Sequence, residues 1–188
     1  MPSQGSQETI EFAAKRRYPY MQVFSPFESM KKILNLYKEE ASEKFGYEAP
    51  PEQLGWAVPI YVAETDEQAW AEAEQHLSFL FNKLLRRPAT QWLPPGYLTE
   101  KSMARILSAK ADKMAGDRNP RELDEKGVII VGSVDTVRER LAKYHKEAGF
   151  GLLVTLLHFG TLPHELTMKN LEIFAAEIMP HFQAKILA

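Results

Sequence analysis

The spacing of apolar and polar residues predicts strands that alternate with helices along most of the chain. Apolar segments at residues 18–24, 56–63 and 152–159 are typical of strands, and the last is an almost unbroken apolar run that suits a strand buried on both faces. Between the first two segments a helix is predicted, with Ser25 as N-cap and Pro26 at its first position, and it runs to about Phe45. This alternation favours an α/β fold with about three to four parallel strands.

The element ends in the last third of the chain carry clear signals. Ser133 is a candidate N-cap, apolar residues follow it at helical spacing, and Gly149 ends that helix. After the strand at 152–159, Gly160 marks a turn and a second amphipathic helix begins at Pro163. A helix, a short link, a buried strand and another helix form one unit of parallel α/β architecture.

Residues 86–127 give a weaker signal. Their first part, RRPATQWLPPGYLTE, is rich in proline and aromatic residues, which is typical of an ordered loop rather than a linker. A helix is expected from about residue 99 to 114. We therefore predict a single domain over 1–188 that contains an insertion at 86–127.

Length and composition exclude several classes of protein. With 188 residues, 45% of them hydrophobic and 26% charged, the chain can bury a core as one domain. The net charge of -2 gives no reason to expect nucleic acid or an anionic membrane as a partner. No apolar run is long enough to span a bilayer, and the N-terminus lacks the pattern of a secretion signal. Without cysteines there is no disulfide or thiolate metal site, so we expect a cytoplasmic protein.

The search for catalytic and metal-binding motifs leaves no catalytic residue to nominate. The five histidines show no H-x-x-x-H or H-E-x-x-H spacing, so no metal site is predicted. Nucleophile elbows, Walker A loops and Gly-x-Gly-x-x-Gly loops are also absent from the sequence. His76 lies on or beside the apolar face of a predicted helix, where a hydrogen-bonded core or boundary histidine is far more common than a ligand.

The sequence GSQET at residues 5–9 places two hydroxyl groups, those of Ser6 and Thr9, at the start of a predicted helix. The first-turn N–H groups of a helix lack partners and its dipole favours negative charge, so such a start can bind an anion. Simple capping is the alternative. The same spacing recurs at Gly132, Ser133 and Thr136, so the pattern alone leaves both interpretations open.

Longer segments resemble a known family. GFGLLVTLLHFGTLPHELTMKNLEIFAAEIMPHF at 149–182 and the preceding VGSVDTVRERL resemble the C-terminal end of bacterial-luciferase-like, flavin-dependent monooxygenases. GSQETIEFAAKRRYPYMQVF at 5–24 resembles the family's loop, short helix and following strand. The resemblance implies the C-terminal part of a TIM (β/α)8 barrel. That barrel is incomplete, because a whole one needs about 250 residues.

The resemblance also implies a function. Members of the family use reduced flavin mononucleotide (FMN) and molecular oxygen to oxygenate a small organic substrate, and a separate flavin reductase supplies the reduced flavin. We expect the intact protein to do the same, as a homo-oligomer, and this chain alone to be inactive and to bind flavin weakly. The alternatives are a non-catalytic, flavin-binding or dimer-forming relative, and a complete small α/β protein that shares only ancestry.

The same resemblance implies a cofactor site near the start of the chain. The family's corresponding loop contacts the FMN phosphate, which makes Gly5, Ser6 and Thr9 candidates for that role. Light-emitting members have a glutamate at the position of Gly5, so that contact is absent here. Phe24 falls where those enzymes place an aromatic residue near the flavin, and core packing is its alternative role.

Candidates for the substrate cavity follow the last predicted strand. His158, Phe159 and Gly160 end that strand and His164 follows on the loop. The carboxyl ends of barrel strands are where active sites form, so these four residues are expected to line the substrate or flavin cavity. Packing and turn formation are the alternative roles.

The insertion at 86–127 falls where the resembling family has a long excursion over the barrel mouth. Its proline-rich and aromatic residues are candidates for a lid, and packing on their own surface loop is the alternative: Trp92, Pro94, Pro95, Gly96 and Tyr97.

The absent first half of the barrel has a physical consequence. In the family that half supplies much of the contact with the flavin ring and an arginine to the phosphate. Its absence leaves the segments 18–24 and 152–159 as potential open edges, where unpaired backbone groups and a bare apolar face are costly. We expect this face to be covered by self-association, by rearranged helices or by a missing partner segment.

Overall fold

The structure, a computed structural model, describes residues 2–3, 6–86 and 117–183. Its strands are β1 (Pro2–Ser3), β2 (Tyr20–Val23), β3 (Leu54–Ala63), β4 (Ile130–Ser133) and β5 (Leu152–Leu156). Its helices are α1 (Gln7–Lys15), α2 (Phe27–Phe45), α3 (Asp66–Phe79), α4 (Pro120–Glu125), α5 (Val134–Ala148), α6 (His164–Ile173) and α7 (Met179–Gln183). The π-helical turn Leu80–Leu84 extends α3, Phe174–Ile178 joins α6 to α7, and the 3₁₀ turn Pro51–Gln53 precedes β3.

The strands form an open parallel sheet with β3 at its centre. β2 and β5 both pair with Gly55, Trp56 and Ala57 of β3, so they lie on its two opposite edges. β1 pairs with β2 on the outer side, and every pairing among the described residues is parallel. This arrangement confirms the predicted α/β fold, in which parallel strands alternate with helices.

Asn170 of α6 completes the edge of β3 on which β5 lies. Its Nδ2 donates to Leu157 O, just after β5 ends, and also to Ile60 O, both at 2.9 Å. Its Oδ1 accepts a hydrogen bond from Val62 N at 2.9 Å. The fully buried Asn170 amide therefore continues the ladder where β5 stops.

β4 pairs with the second half of β3, beyond the end of β2. Ala57 O accepts from Phe24 N on the edge where β2 lies, whereas the groups bound by Asn170 face the other edge. Successive residues of a strand turn their polar groups to alternate edges, so β4 continues the row of β2. By the same alternation, Pro59 turns its nitrogen to the gap between β2 and β4, where a missing N–H does little harm.

Helices α1, α2, α5 and α6 cover one face of the sheet with the main apolar core. At its centre lies the fully buried Trp56, whose ring contacts those of Phe27, Tyr144 and Phe150. Phe27 of α2 stacks on Tyr144 of α5 with ring centroids 4.1 Å apart, so these rings join the two helices. Full burial of a side chain such as phenylalanine contributes about 1.5–3 kcal/mol.

The prediction for the last strand is wrong in one respect. β5 ends at Leu156, and Leu152 and Val154 are 38% and 43% exposed rather than buried. These residues share the sheet face opposite the main core with Met21, because a Cβ at Gly55 would contact both Met21 and Leu152. Among the described residues β5 pairs with β3 alone, so its other edge has no strand partner there.

Replacing Asn170 by leucine should destabilise the protein strongly. The change leaves Ile60 O, Val62 N and Leu157 O without their partner, and each buried orphan costs about 1–3 kcal/mol. Urea unfolding monitored by circular dichroism measures the loss. The control Asn35→Leu, on the exposed surface of α2, should change stability by no more than about 0.5 kcal/mol. Equal effects at the two positions would contradict the role of Asn170 in the sheet.

Candidate functional site

The candidate residues gather at one end of the sheet, where the parallel strands have their carboxyl ends. Ser6 follows β1, Phe24 follows β2 and Asp66 follows β3. Ser133 ends β4, and His158 follows β5. Ligand sites of parallel α/β folds form at this end, because the loops there converge and helices begin there.

Ser6 is the N-cap residue of α1, and Thr9 lies in the first turn. Ser6 Oγ accepts from Thr9 N at 3.3 Å and lies 2.7 Å from Thr9 Oγ1. Both residues are half-buried. The start of α1 therefore presents two adjacent hydroxyls together with the N–H groups of Gln7 and Glu8, which have no partner within the helix. Gly5, predicted beside them, lies outside the described residues.

The second Gly-Ser-x-x-Thr sequence, at the start of α5, is already occupied by a carboxylate. Asp66 Oδ1 accepts from Ser133 N at 2.6 Å, and Asp66 Oδ2 accepts from Thr136 Oγ1 at 3.0 Å. The hydrogen bond from the Ser133 backbone lowers the pKa of Asp66, so this carboxylate is charged at neutral pH. A Cβ at Gly132 would lie 2.8 Å from Asp66 Oδ1, which explains the glycine.

No such carboxylate occupies the start of α1. Within the described part of the chain, neither an acidic nor a basic side chain contacts Ser6 or Thr9. Glu8 lies in the first turn, and the Gln7 side chain donates to Glu40 of α2 at 3.1 Å. An anion at this position would be held by hydroxyl and N–H donors, without a cation from these residues.

Phe24 has a backbone conformation that is unusual for any residue except glycine. Its φ of 49° is left-handed, which costs roughly 1–2 kcal/mol. Phe24 N donates to Ala57 O at 3.1 Å, and its half-buried ring meets Phe81 edge-on, with centroids 6.2 Å apart. Strain of this kind is concentrated at functional sites. The position is compatible with a ring beside a ligand and with packing against Phe81.

The four candidate residues after β5 fall into two groups. Phe159 is buried, with its ring edge-on to Tyr61 at 6.1 Å, and Gly160 forms a left-handed turn with φ 58°. His158 and His164 are exposed, and His164 is the first residue of α6. The alternative roles of packing and turn formation thus describe Phe159 and Gly160, whereas the two histidines present their side chains to solvent.

The turn after β5 is held against α3 through His76. A Cβ at Gly160 would overlap the carbonyl oxygen of His76, so only glycine allows this approach. His76 Nδ1 lies 2.8 Å from Thr161 Oγ1, and burial lowers the pKa of His76. His76 is buried and hydrogen-bonded, which confirms the prediction of a hydrogen-bonded core or boundary histidine.

One polar network beside this end of the sheet escaped the sequence analysis. Lys169 of α6 contacts Glu64 Oε2 at 2.9 Å and Glu72 Oε1 at 3.0 Å, while Tyr61 OH donates to Glu72 Oε2 at 2.8 Å. The partners come from β3, α3 and α6, so no short spacing announces them. Their contacts tie these three elements together.

The lid candidates Trp92, Pro94, Pro95, Gly96 and Tyr97 lie outside the described residues. Within 2–3, 6–86 and 117–183, no three histidine, aspartate or glutamate side chains come together as a metal site would require. In the same ranges no helix has the length and apolar character needed to cross a membrane.

Comparison with known families gives one match over most of the chain. The sequence profile of the family described as luciferase-like monooxygenase matches residues 3–150. The match includes Ser6, Thr9 and Phe24, and it ends before β5. The match covers the segments 5–24 and 131–141 but, apart from two residues, is independent of the C-terminal segment 149–182.

Several solved structures share the fold. Monooxygenase RslO1 from Streptomyces bottropensis is 20% identical with a TM-score of 0.65, over 96% of this chain and 47% of that one. The oxygenating constituent of 3,6-diketocamphane monooxygenase from Pseudomonas putida was solved in complex with FMN. It is 20% identical with a TM-score of 0.64, over 95% of this chain and 47% of that one. Coenzyme F420-dependent tetrahydromethanopterin reductase from Methanopyrus kandleri is 16% identical with a TM-score of 0.58, over 97% of this chain and 50% of that one. The chain spans about half the length of these relatives.

Replacing Phe24 by glycine should give a more stable protein than replacing it by alanine. Both changes remove the contact with Phe81, but only glycine relieves the left-handed backbone, by about 1 kcal/mol. Urea unfolding of the two variants measures the difference. The control is Val23 in β2, where alanine should be more stable than glycine by about 0.5–1 kcal/mol. If alanine is also the better residue at position 24, the strain is not real.

Replacing Gly160 by alanine should destabilise the protein by about 2–5 kcal/mol, because a methyl group adds both backbone strain and overlap with His76 O. Gly46 is a matched control, since it has φ 65° but no atom within 4 Å of a Cβ. Gly46→Ala should cost only about 1–2 kcal/mol. Chemical denaturation of both variants tests this order, and equal losses would show that α3 does not constrain the turn.

Proposed function

Because this chain belongs to the family of luciferase-like monooxygenases, we propose that it serves a flavin-dependent monooxygenase that oxygenates a small organic substrate. The chain supplies the second half of the barrel, including the phosphate side of the flavin site. The other half of the relatives' length corresponds to nothing in this chain. For that reason we propose that the chain alone is inactive and binds flavin weakly.

The observation that carries this proposal is the difference between the two similar helix starts. The start of α5 has an internal anion, since Asp66 accepts hydrogen bonds from Ser133 and Thr136. At the start of α1, the hydroxyls of Ser6 and Thr9 have no side-chain partner but each other among the described residues. This pair can therefore donate to a ligand without displacing a side chain of the protein.

The chemistry of the donors fits the phosphate of FMN in part. Hydroxyls and helix N–H groups bind phosphate oxygens well, and the helix dipole adds attraction. No lysine or arginine of the described residues contacts Ser6 or Thr9, so the phosphate charge is not neutralised there. We infer that a cation from outside this half of the barrel completes the site.

The remaining candidates take the roles that their exposure allows. Phe24, held in its strained conformation at the carboxyl end of β2, would contact the flavin. The exposed His158 and His164 would face the substrate cavity, and Phe159 and Gly160 would position their loop. Reduced FMN, when bound, supplies the electrons that activate molecular oxygen. The residues of this chain bind the cofactor, orient it and help to exclude water.

Partners and alternatives follow from the same proposal. A separate flavin reductase would supply the reduced cofactor, and oxygen and a small organic molecule would be the substrates. One relative with this fold is dependent on coenzyme F420, so the fold by itself does not specify FMN as the cofactor.

The second candidate function is that of a non-catalytic, flavin-binding or dimer-forming relative. Oxygen consumption in the presence of a reductase separates the enzyme from this alternative.

The fluorescence of FMN should be quenched when FMN binds to the chain. Riboflavin, which lacks the phosphate, should bind more weakly. The double variant Ser6→Ala, Thr9→Val should lose about tenfold or more in affinity for FMN, since hydrogen bonds to charged groups contribute about 1.5–3 kcal/mol. Its affinity for riboflavin should not change. Fluorescence titration measures all four affinities.

The matched control is the variant Ser133→Ala, Thr136→Val at the start of α5. Each double variant removes one N-cap, at a cost of about 1 kcal/mol in stability. Only the α1 variant should lose FMN affinity. Equal binding of FMN and riboflavin, or equal losses in both double variants, would refute the proposed phosphate site.

A further inference from the structure

The described sheet is open at both ends. β5 pairs only with β3, and β1 pairs only with β2, so each has an edge without a strand partner among the described residues. The β5 end also carries the exposed side chains of Leu152 and Val154. Open edges of parallel sheets are normally covered, because their unpaired backbone groups attract other strands.

The helices after β5 carry an exposed apolar stripe beside this edge. Met168, Leu171 and Met179 are 41%, 39% and 41% exposed, and Ala175 lies exposed between them at helical spacing. The stripe is on the other side of the helix from Glu177, which accepts hydrogen bonds from Arg138 of α5. A stripe of this kind is typical of a face that packs against another helix.

α1, at the opposite end of the sheet, exposes an aromatic and basic surface. Phe12 and Tyr18 are 43% and 46% exposed, with ring centroids 6.3 Å apart, and the Arg16 guanidinium lies 3.7 Å from the Phe12 centroid. Gln7 and Glu11 contact α2, so Phe12 and Arg16 face away from α2. This surface therefore borders the open edge of β1.

The two surfaces are complementary in charge. The exposed acids Glu165 and Glu172 flank the stripe on α6, whereas Lys15, Arg16 and Arg17 are exposed at the end of α1. Neighbouring helices of a parallel barrel run in the same direction, and Arg16 and Glu172 lie about equally far from the first residues of their helices. Neither has an ionic partner in the part of the chain that the structure describes.

We propose that a second copy of this chain closes the barrel. β5 of each copy pairs in parallel with β1 of the other, and α1 of each copy packs on the stripe of Met168, Leu171, Ala175 and Met179 of the other. β1, β2, β3 and β5 lie side by side and β4 continues the row of β2. Each copy therefore contributes a row of four strands, and two copies give the eight of a TIM barrel. The two interfaces are equivalent by two-fold symmetry, so the assembly closes as a dimer.

Closure has a consequence for the candidate site, and this part rests on the proposed function. It brings the end of β5 of one copy beside the start of α1 of the other. His158 of the partner subunit would then lie near Ser6 and Thr9 of this chain. A flavin site would be shared between two copies, with one site at each of the two interfaces.

Sedimentation of the purified chain tests the assembly without any flavin. We expect twice the 21.5 kDa mass of one chain. The variants Val154→Lys and Leu171→Lys should sediment as folded monomers, because each charge replaces an exposed apolar group that only the dimer buries. Leu84→Lys is the control, since Leu84 is 54% exposed on the extension of α3 and belongs to neither proposed surface. This variant should remain a dimer, and circular dichroism checks that all three fold.

Charge exchange tests which surfaces meet. Arg16→Glu and Glu172→Arg should each weaken the dimer on the order of tenfold, because each change affects both interfaces. The variant with both exchanges should restore the affinity to within about twofold of the original. Glu67→Arg, an exposed charge on α3, should have no effect on the dimer.

Several outcomes would overturn the proposal: a monomer at all concentrations, an open series of oligomers, or a dimer that tolerates both lysine variants. A native polypeptide about twice as heavy on a denaturing gel would also overturn it, since the additional length would cover both edges. These measurements are independent of cofactor binding. Loss of FMN binding with an intact dimer would count against the proposed function alone.

Discussion

The described fold depends on the pairing of both edges of β3. All ten residues of this strand are buried, so its N–H and C=O groups cannot bond to water, and each unpaired group would cost about 1–3 kcal/mol. β2 and β4 cover one edge in succession, while β5 and the amide of Asn170 cover the other. This demand explains why a helix side chain enters the sheet, and why Pro59 lies where β2 gives way to β4.

The same requirement governs the helix starts at the carboxyl ends of the strands. First-turn N–H groups need acceptors, and the protein meets that need differently at two nearly identical sequences. At α5 the acceptor is Asp66, delivered from the neighbouring strand–helix connection. At α1 the hydroxyls of Ser6 and Thr9 bond to each other, and no side-chain carboxylate of the described residues contacts them. The difference between the two starts is thus made by a residue distant in sequence.

At the two ends of the sheet the requirement is not met by the residues described. β5 has one unpaired edge, and Leu152 and Val154 expose apolar surface that a complete barrel would bury. This chain spans about half the length of the solved relatives, and a whole TIM barrel closes its sheet on itself. Complementary surfaces at the two open ends would give both the proposed flavin site and the proposed assembly a common physical basis.

The sequence by itself determined the class of fold and most element positions. Ser133 and Gly149 bound α5 where predicted, because capping and left-handed ends are preferences of single residues. The resemblance, in turn, pointed to Ser6, Thr9 and Phe24. Only the tertiary structure decided the exposure of Val154, the left-handed Phe24, the carboxylate at Ser133 and the role of Asn170. Each of these depends on which distant residue arrives as a partner, and a local pattern records a residue's own preference but not its partner.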